Sequence, residues 1–540
     1  MKINSAFFEK SRVIANDFLQ SIVFLDDRAH SKDISKQDQV HDLDAIKLSN
    51  LFSKKKKICA VYDPKTTEDI FNFEDISKKA DIIVLDWYID VQDDVEKPED
   101  LENDADEDDI RGVYTKKIIS NLIAQNNAES LKLILVYTGE TDIIGILSEI
   151  SLLNENSQVI EESCSVFIGS IKILVRAKDN YIEGEDTRFK HLPHLQEMII
   201  SYDNLPDFLL DEFTLMTCGL LSNFALLSLV TLRENSNKLL ALFSKELDGA
   251  YLSHKILLPN QEDAENLLIE LFGDSIADLL FYNQIGSQLD KELMNDWVDE
   301  NILDEKFDIT ATNSFVRTKK MIVDLLNSND TVVNNRIIDS FAGSNLTNKQ
   351  KQKFILNSTG LFLSQKNQGK SQKINFDFAK LTHHKSLFIP KNIEPKLTLG
   401  TVIKSTKKDT FYICIQQKCD SVRLKIEEER KFLFLPLNKT TDEKFDLLTK
   451  QEIKLKQDRK SFSIRTIKFV CNNNDGFIKG IKNDIEQFIF EQKYNDAADE
   501  QFEWILDLKD LHSQRIVSDY ASNLSRVGLD ESEFLRRSSI

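Results

Sequence analysis

Asp86 ends the run Ile82-Ile-Val-Leu85, four apolar residues that deliver a carboxylate. An ionised carboxylate left unpaired in a dry interior costs on the order of several kcal/mol, so Asp86 is expected at a cleft or beside a cation. Three further segments share the plan. Ser21-Ile-Val-Phe-Leu25 runs into Asp26 and Asp27, Leu131-Lys-Leu-Ile-Leu-Val-Tyr137 into Thr138, and Ile171-Lys-Ile-Leu-Val-Arg-Ala177 into Lys178. Carboxylates gathered at one place repel unless a cation joins them, and Mg2+ prefers such hard oxygen ligands while keeping room for phosphate. If Asp86 attacks a phosphoryl donor, the equatorial oxygens need a metal, an amine and a hydroxyl donor around them. Asp26, Asp27 and Asp86 are the candidate Mg2+ ligands, and Asp86, Thr138 and Lys178 the candidate catalytic groups.

These groups need a scaffold that brings strand ends together. Strands are predicted at 21–25, 58–62, 82–85, 131–137 and 171–175. Helical patterns lie between them at 42–52, 66–79, 110–126 and 142–153. Alternating strands and helices imply a five-stranded parallel sheet with right-handed crossovers, whose strand C-termini form the functional edge. Lys54 to Lys57 read as cations closing a helix at its negative end rather than as a nucleic-acid signal. Residues 90–109 hold twelve acidic side chains against Lys97 and read as a solvated insertion.

The order of these groups resembles the receiver domain of two-component response regulators, over roughly the first third of the chain. The resemblance implies a flavodoxin-like α/β fold. It implies that the acidic pair in Leu25-Asp-Asp-Arg28 holds magnesium and that Asp86 in Val84-Leu-Asp-Trp87 takes a phosphoryl group from a histidine kinase. It further implies that Thr138 in Val136-Tyr-Thr-Gly139 and Lys178 in Arg176-Ala-Lys-Asp179 bind that group. Two departures stand out. Arg176 occupies the place where such domains keep an aromatic switch, and the intervals before Asp86 and before Lys178 are long. Lys172, inside the strand, is the poorer candidate for the lysine. Tyr88, two residues past Asp86, is bulky enough to screen attacking water and predicts a long-lived acyl phosphate.

The whole chain is too long for one core. It is read as multidomain: the receiver with its acidic insertion over 1–185, an α-helical middle region over 186–395, a small β-rich barrel or sandwich over 396–475, and C-terminal helices over 476–540. The middle opens with two packed helices across 205–232, broken near Gly219. The β-rich part shows short alternating strands such as Phe411-Tyr-Ile-Cys-Ile415 and Lys431-Phe-Leu-Phe-Leu-Pro-Leu437. In the tail, Leu511, Ile516, Tyr520, Leu524 and Val527 make an apolar stripe that Gly528 ends, and Asp530 and Glu533 have the spacing of a capping box. Gly369-Lys-Ser371 lacks the rest of a phosphate loop. Cys414 and Cys419 lack the second pair that zinc requires. His191, His194, His383 and His384 form no catalytic set, and His512 is read as a packing residue.

A net charge of −20 and a pI near 5.0 argue against generic nucleic-acid binding. Six scattered cysteines read as reduced thiols, and with no signal peptide or long apolar run the expected location is cytoplasmic, away from membranes. The segments Gly400-Thr-Val-Ile403, Tyr412 to Leu424 and Phe432 to Leu437, with the Arg515 to Arg537 tail, resemble the long receiver proteins of bacterial antiphage two-component systems of the Detocs type. There a separate receiver protein absorbs stray phosphate. No effector motif is recognisable after residue 186. The expectation is therefore a non-enzymatic phosphate sink, with Mg2+ as cofactor and a histidine kinase and an effector regulator as partners. The alternative is a phosphorylation-controlled effector or interaction scaffold. A phosphohydrolase using Asp86 needs a second aspartate where Tyr88 stands.

Overall fold

Parallel strands buried on both faces read as continuous β-branched and aliphatic runs, and the N-terminal strands have that composition. The computed structural model describes residues 5–29, 42–91, 111–125, 130–179, 193–258, 263–308, 314–328, 347, 358–385, 387, 393–442, 444–460, 463–491 and 500–524. The acidic run beyond Val91 and the chain from Ser525 onward, with Val527, Gly528, Asp530 and Glu533, lie outside them. Two compact units divide the chain, one of 1–257 with 262–301 and the other of 258–261 with 302–540. The expected helical segment 186–395 straddles that division.

In the first unit, β1 (Ser21–Leu25), β2 (Ile58–Tyr62), β3 (Ile82–Leu85) and β4 (Lys132–Thr138) form parallel pairs. The fifth parallel strand is β7 (Ile171–Lys178), three residues longer than predicted. The pairing runs β2-β1-β3-β4-β7 and then continues into two antiparallel strands, β6 (Ser165–Ile168) and β5 (Gln158–Ile160). The sheet is thus mixed rather than five-stranded and parallel. A short β8 (Ile199–Ile200) lies parallel to the end of β7.

Helix α1 (Ala6–Phe18) precedes the sheet, and α2 (Ala45–Lys54), α3 (Thr67–Ser77), α4 (Val113–Gln125) and α5 (Ile143–Ser151) connect its strands. Each of α2, α3 and α5 begins at an Asp or Thr whose side chain accepts a backbone N–H of the first turn (Asp44, Thr66, Asp142). Apolar residues of α3, α4 and α5 pack one sheet face, through Ile70, Phe73, Ile118, Ile119, Ile146 and Ile150.

The other face is packed by α1, α2, α6 (Leu205–Thr217) and α7 (Leu220–Leu242), through Ala15, Leu48, Phe52, Leu209, Phe213 and Leu226. The two expected helices around Gly219 are therefore present. They are continuous with the sheet's core because α1 draws them in. Arg12 pairs with Asp207 (2.9 Å) and Asp211 (2.5 Å), and Asn223 Nδ2 donates to Ser11 Oγ (2.9 Å). Helices α8 (Asp248–Leu257), α9 (Asp263–Tyr282) and α10 (Lys291–Asn301) complete the unit. No single helix among the described residues is long and apolar enough to cross a membrane.

The second unit begins with a hairpin, β9 (Glu305–Asp308) with β10 (Ser314–Arg317), then α11 (Lys319–Asn327) and α12 (Ser371–His383). Its sheet comprises β11 (Thr401–Ser405), β12 (Phe411–Cys414), β13 (Glu429–Lys439), β14 (Leu447–Leu448), β15 (Lys454–Gln457), β16 (Arg465–Val470), β17 (Ile481–Lys482), β18 (Phe488–Glu491) and β19 (Gln501–Asp507). Ser421–Leu424 forms no strand, since Arg423 has φ 65 and breaks extended geometry.

The expectation of a purely helical tail is also corrected. β17 to β19 belong to the sheet, and β19 pairs directly with β11, because Phe502 and Leu506 bury opposite faces of it. Only α13 (Asp510–Leu524) is helical. Ile516 and Tyr520 of the expected stripe are buried, while Leu511 (83% exposed) and Leu524 are not, and His512 is buried in place of Leu511. His512 packs its ring on His383 at 3.9 Å. Cys414 is buried and Cys419 exposed, and neither belongs to a metal-ligand cluster among the described residues.

Candidate phosphoacceptor and metal centre

In a sheet ordered 2-1-3, β1 and β3 are neighbours whose connecting helices leave to opposite faces, which opens a crevice at their C-terminal ends. The ladder runs one residue past each strand. The Asp26 N–H donates to Tyr62 O (3.0 Å) and the Asp86 N–H to Leu25 O (3.0 Å), so both aspartates are held by backbone in that crevice.

Lys178, the last residue of β7, reaches across β4 and β3 to join them. Its Nζ donates to Asp26 Oδ2 (2.6 Å) and Asp86 Oδ2 (2.8 Å), and all three side chains are at most 3% exposed. The remaining oxygens are held by backbone amides. Asp86 Oδ1 accepts the Trp87 N–H (2.7 Å), Asp26 Oδ1 the Arg28 N–H (2.9 Å), and Asp27 Oδ2 the Asp90 N–H (3.1 Å).

Three carboxylates crowd the site against the buried Lys178 ammonium, and the ionisation of the site reflects that crowding. Burial, opposed by Lys178, pushes the Asp26 carboxyl up to about 6. Burial, opposed by the Asp90 amide, lifts Asp27 to about 6 as well. Asp86 is raised for the same reason, with Lys178 again opposing. For Lys178, burial alone would lower the value, but the charges of Asp26 and Asp86 outweigh it and the ammonium is held well above its ordinary range.

Magnesium fits this donor set. Asp26, Asp27 and Asp86 each offer an oxygen, all within 4.8 Å of one another. Asp27 Oδ1 is buried and has no hydrogen-bond partner, which a hard cation would supply.

Thr138 is buried at the end of β4, and its Oγ1 accepts the Glu140 N–H (3.2 Å). It reaches the same sheet edge, while the direct bonds to the acceptor come from Lys178 and Trp87 N–H. Lys172 lies elsewhere and pairs with Glu212 of α6 (2.5 Å). Arg176 also turns to α6. Its guanidinium stacks over Phe208 (5.0 Å), lies 4.0 Å from Glu212 and donates to Ser163 O (3.0 Å). Tyr88 is half-buried beside the site.

Sequence reasoning missed two supporting residues. Thr115 Oγ1 donates to the Asp86 carbonyl (2.5 Å), and Gly112, at φ +75, donates its N–H to Trp87 O (3.0 Å). Both follow the acidic insertion, which separates them from Asp86 in sequence and hides the relation. A glycine next to a helix start was the one available signal.

No curated protein matches the chain. Residues 18–180 match the family model of the response receiver domain, and those residues hold every element of the crevice just described. The chain therefore carries a response receiver domain at its N-terminal end.

Proposed function

We propose that Asp86 accepts a phosphoryl group from a partner histidine kinase, and that the protein acts as a phosphate sink in bacterial antiphage signalling. The reading rests on one observation: Lys178 bridges Asp86 and Asp26 in a buried crevice while Asp27 presents an unsatisfied oxygen to the same place. A carboxylate oxygen of Asp86 attacks phosphorus, the P–N bond to the donor imidazole breaks with its electron pair left on nitrogen, and the donor leaves as neutral imidazole. The Lys178 ammonium stays on the acceptor side and neutralises charge on the incoming phosphoryl oxygens. The Trp87 and Arg28 amides keep the two aspartates aimed, and Thr115 holds the Asp86 backbone. Bound magnesium, held by Asp26, Asp27 and Asp86, would neutralise the equatorial oxygens. The acceptor is the protein's own side chain, so the chain turns over no separate substrate beyond slow loss of its own phosphate.

The second reading, a phosphorylation-controlled effector or scaffold, is favoured by a different contact. Lys172 and Arg176, on the strand that ends in Lys178, both meet Glu212 of α6, which ties the site's strand to the helices beyond it.

The test is phosphoryl transfer from the cognate kinase with magnesium present, comparing wild type and Asp86→Asn. Label on the wild type alone supports the acceptor, and equal labelling of both sinks it. Co-expression then separates the two roles. For a sink, Asp86→Ala with the kinase triggers effector toxicity; for an effector, the same variant is inert.

A further inference from the structure

Lys178 stands where its strand has run out of neighbours. Strand β7 pairs β4 as far as Ala177, opposite Thr138, and β6 only as far as Leu174, opposite Ser165. The residue whose Nζ bonds Asp26 and Asp86 thus lies past both ladders, and a strand end without a ladder frays. Strand β8 supplies one. It pairs Ile199 with Ala177 and Ile200 with Lys178, on the side of β7 that β6 leaves open.

Strand β8 is two residues long, too short to hold itself, and a side chain of β4 anchors it. The Tyr137 hydroxyl donates to Ile200 O (2.6 Å), and Tyr137 is 1% exposed. Its ring meets that of Tyr202 edge-on, with centroids 6.2 Å apart. The Tyr202 hydroxyl in turn donates to Asp42 O (3.1 Å) and accepts the Asp44 N–H (3.3 Å), which pins the exit of β8 to the start of α2. A buried tyrosine hydroxyl finds a partner in any core. What sets this one apart is the partner: Ile200 lies in register with the lysine, and Tyr137 directly precedes Thr138.

We propose that Tyr137 is a positioning residue for phosphoryl transfer. Its hydroxyl fixes Ile200, Ile200 fixes the end of β7, and Lys178 is thereby held beside Asp86, where the incoming phosphoryl oxygens meet it. Tyr137 acts through Lys178 rather than on the reacting atoms. The carboxylates are held independently of it: the Asp26 and Asp86 amides bond β2 and β1, and their side chains accept the Arg28 and Trp87 amides. Loss of the hydroxyl therefore loosens the ammonium and leaves the metal-binding oxygens in place. A loosened Lys178 also competes less with Mg2+ for Asp26 and Asp86. The inference rests on Asp86 being the acceptor.

Titration calorimetry of the full chain tests it, with Mg2+ alone and then with fluoroberyllate, a stand-in for the phosphoryl group, in saturating Mg2+. Tyr137→Phe keeps the ring and removes the hydroxyl. Its affinity for fluoroberyllate is expected to fall about tenfold, the scale of one buried hydrogen bond that positions a charge, while its affinity for Mg2+ stays equal or rises. Tyr202→Phe is expected to move both affinities in the same directions by less, and it carries the test if Tyr137→Phe does not fold by circular dichroism. Unchanged fluoroberyllate affinity overturns the positioning role. So does a parallel loss of both affinities, which is what general damage to the crevice produces. A wild type that takes up no fluoroberyllate, or an Asp86→Asn chain that takes it up equally, overturns the acceptor reading and this one with it.

Discussion

Replacing Lys178 with methionine keeps the length of the side chain and removes the cation that bonds both buried aspartates. In the wild type its Nζ is 2.6 Å from Asp26 and 2.8 Å from Asp86, with no solvent to share the charge. Breaking a buried ion pair from one side costs about 3–5 kcal/mol, because the partner charges stay behind unpaired. At 1.36 kcal/mol per pKa unit, a loss of about 4 kcal/mol corresponds to carboxyl values displaced upward by about three units in total.

That equivalence fixes the pH dependence. Carboxyls raised in the folded state hold protons that the unfolded chain gives up, so stability falls as pH rises from the unfolded value toward the folded one. The loss caused by Lys178→Met should therefore be large at pH 7 and much smaller near pH 5, where Asp26 and Asp86 take up protons. Urea unfolding of the full chain, followed by hydrogen-exchange protection of the β1, β3 and β7 amides without divalent cation, measures it. Adding Asp26→Asn to Lys178→Met should return more than half of the lost stability at pH 7. A loss under about 1 kcal/mol at pH 7, or equal losses at the two pH values, refutes the view that Lys178 compensates buried charge.

In the wild type, Asp26 and Asp27 are both raised to about 6. Without divalent cation their contribution to stability falls between about pH 4 and pH 6 and stays low above that, by the same sign. Saturating magnesium should raise the melting temperature more at pH 7.5 than at pH 5, where protons compete for the same oxygens; an equal shift at both counts against the assigned ligands. Tyr88→Ala should shorten the half-life of phosphorylated Asp86 if the ring screens attacking water, and an unchanged half-life removes that role. Gly112→Ala drives a Cβ into the Trp87 ring at a φ of +75, so a loss of about 2–4 kcal/mol is expected in chemical denaturation, and a neutral effect would show that α4 shifts freely.

The amino-acid sequence by itself determined the parallel strands and the residues at their ends. Ser21–Leu25, Ile58–Tyr62 and Ile82–Leu85 are apolar runs bounded by polar residues, which is a local signal, and alternation with helices restricts their order to few topologies. Asp26, Asp27, Asp86, Thr138 and Lys178 followed from the positions of those ends. Tertiary structure alone decided what the residues do to one another. That Lys178 bonds Asp26 and Asp86, while Thr138 bonds Glu140, depends on register across three strand pairs and leaves no trace in local pattern.

The β5–β6 hairpin was illegible because Gln158–Ile160 is three exposed residues long, too short for any period to show. The tail's strands were hidden for a related reason: β19 earns its place by pairing with β11, about a hundred residues earlier in the chain. Helix α1 likewise gave no sign that Arg12 and Ser11 would meet Asp207, Asp211 and Asn223. Periodicity reports which face of an element is apolar, and only the folded chain decides which distant element covers it.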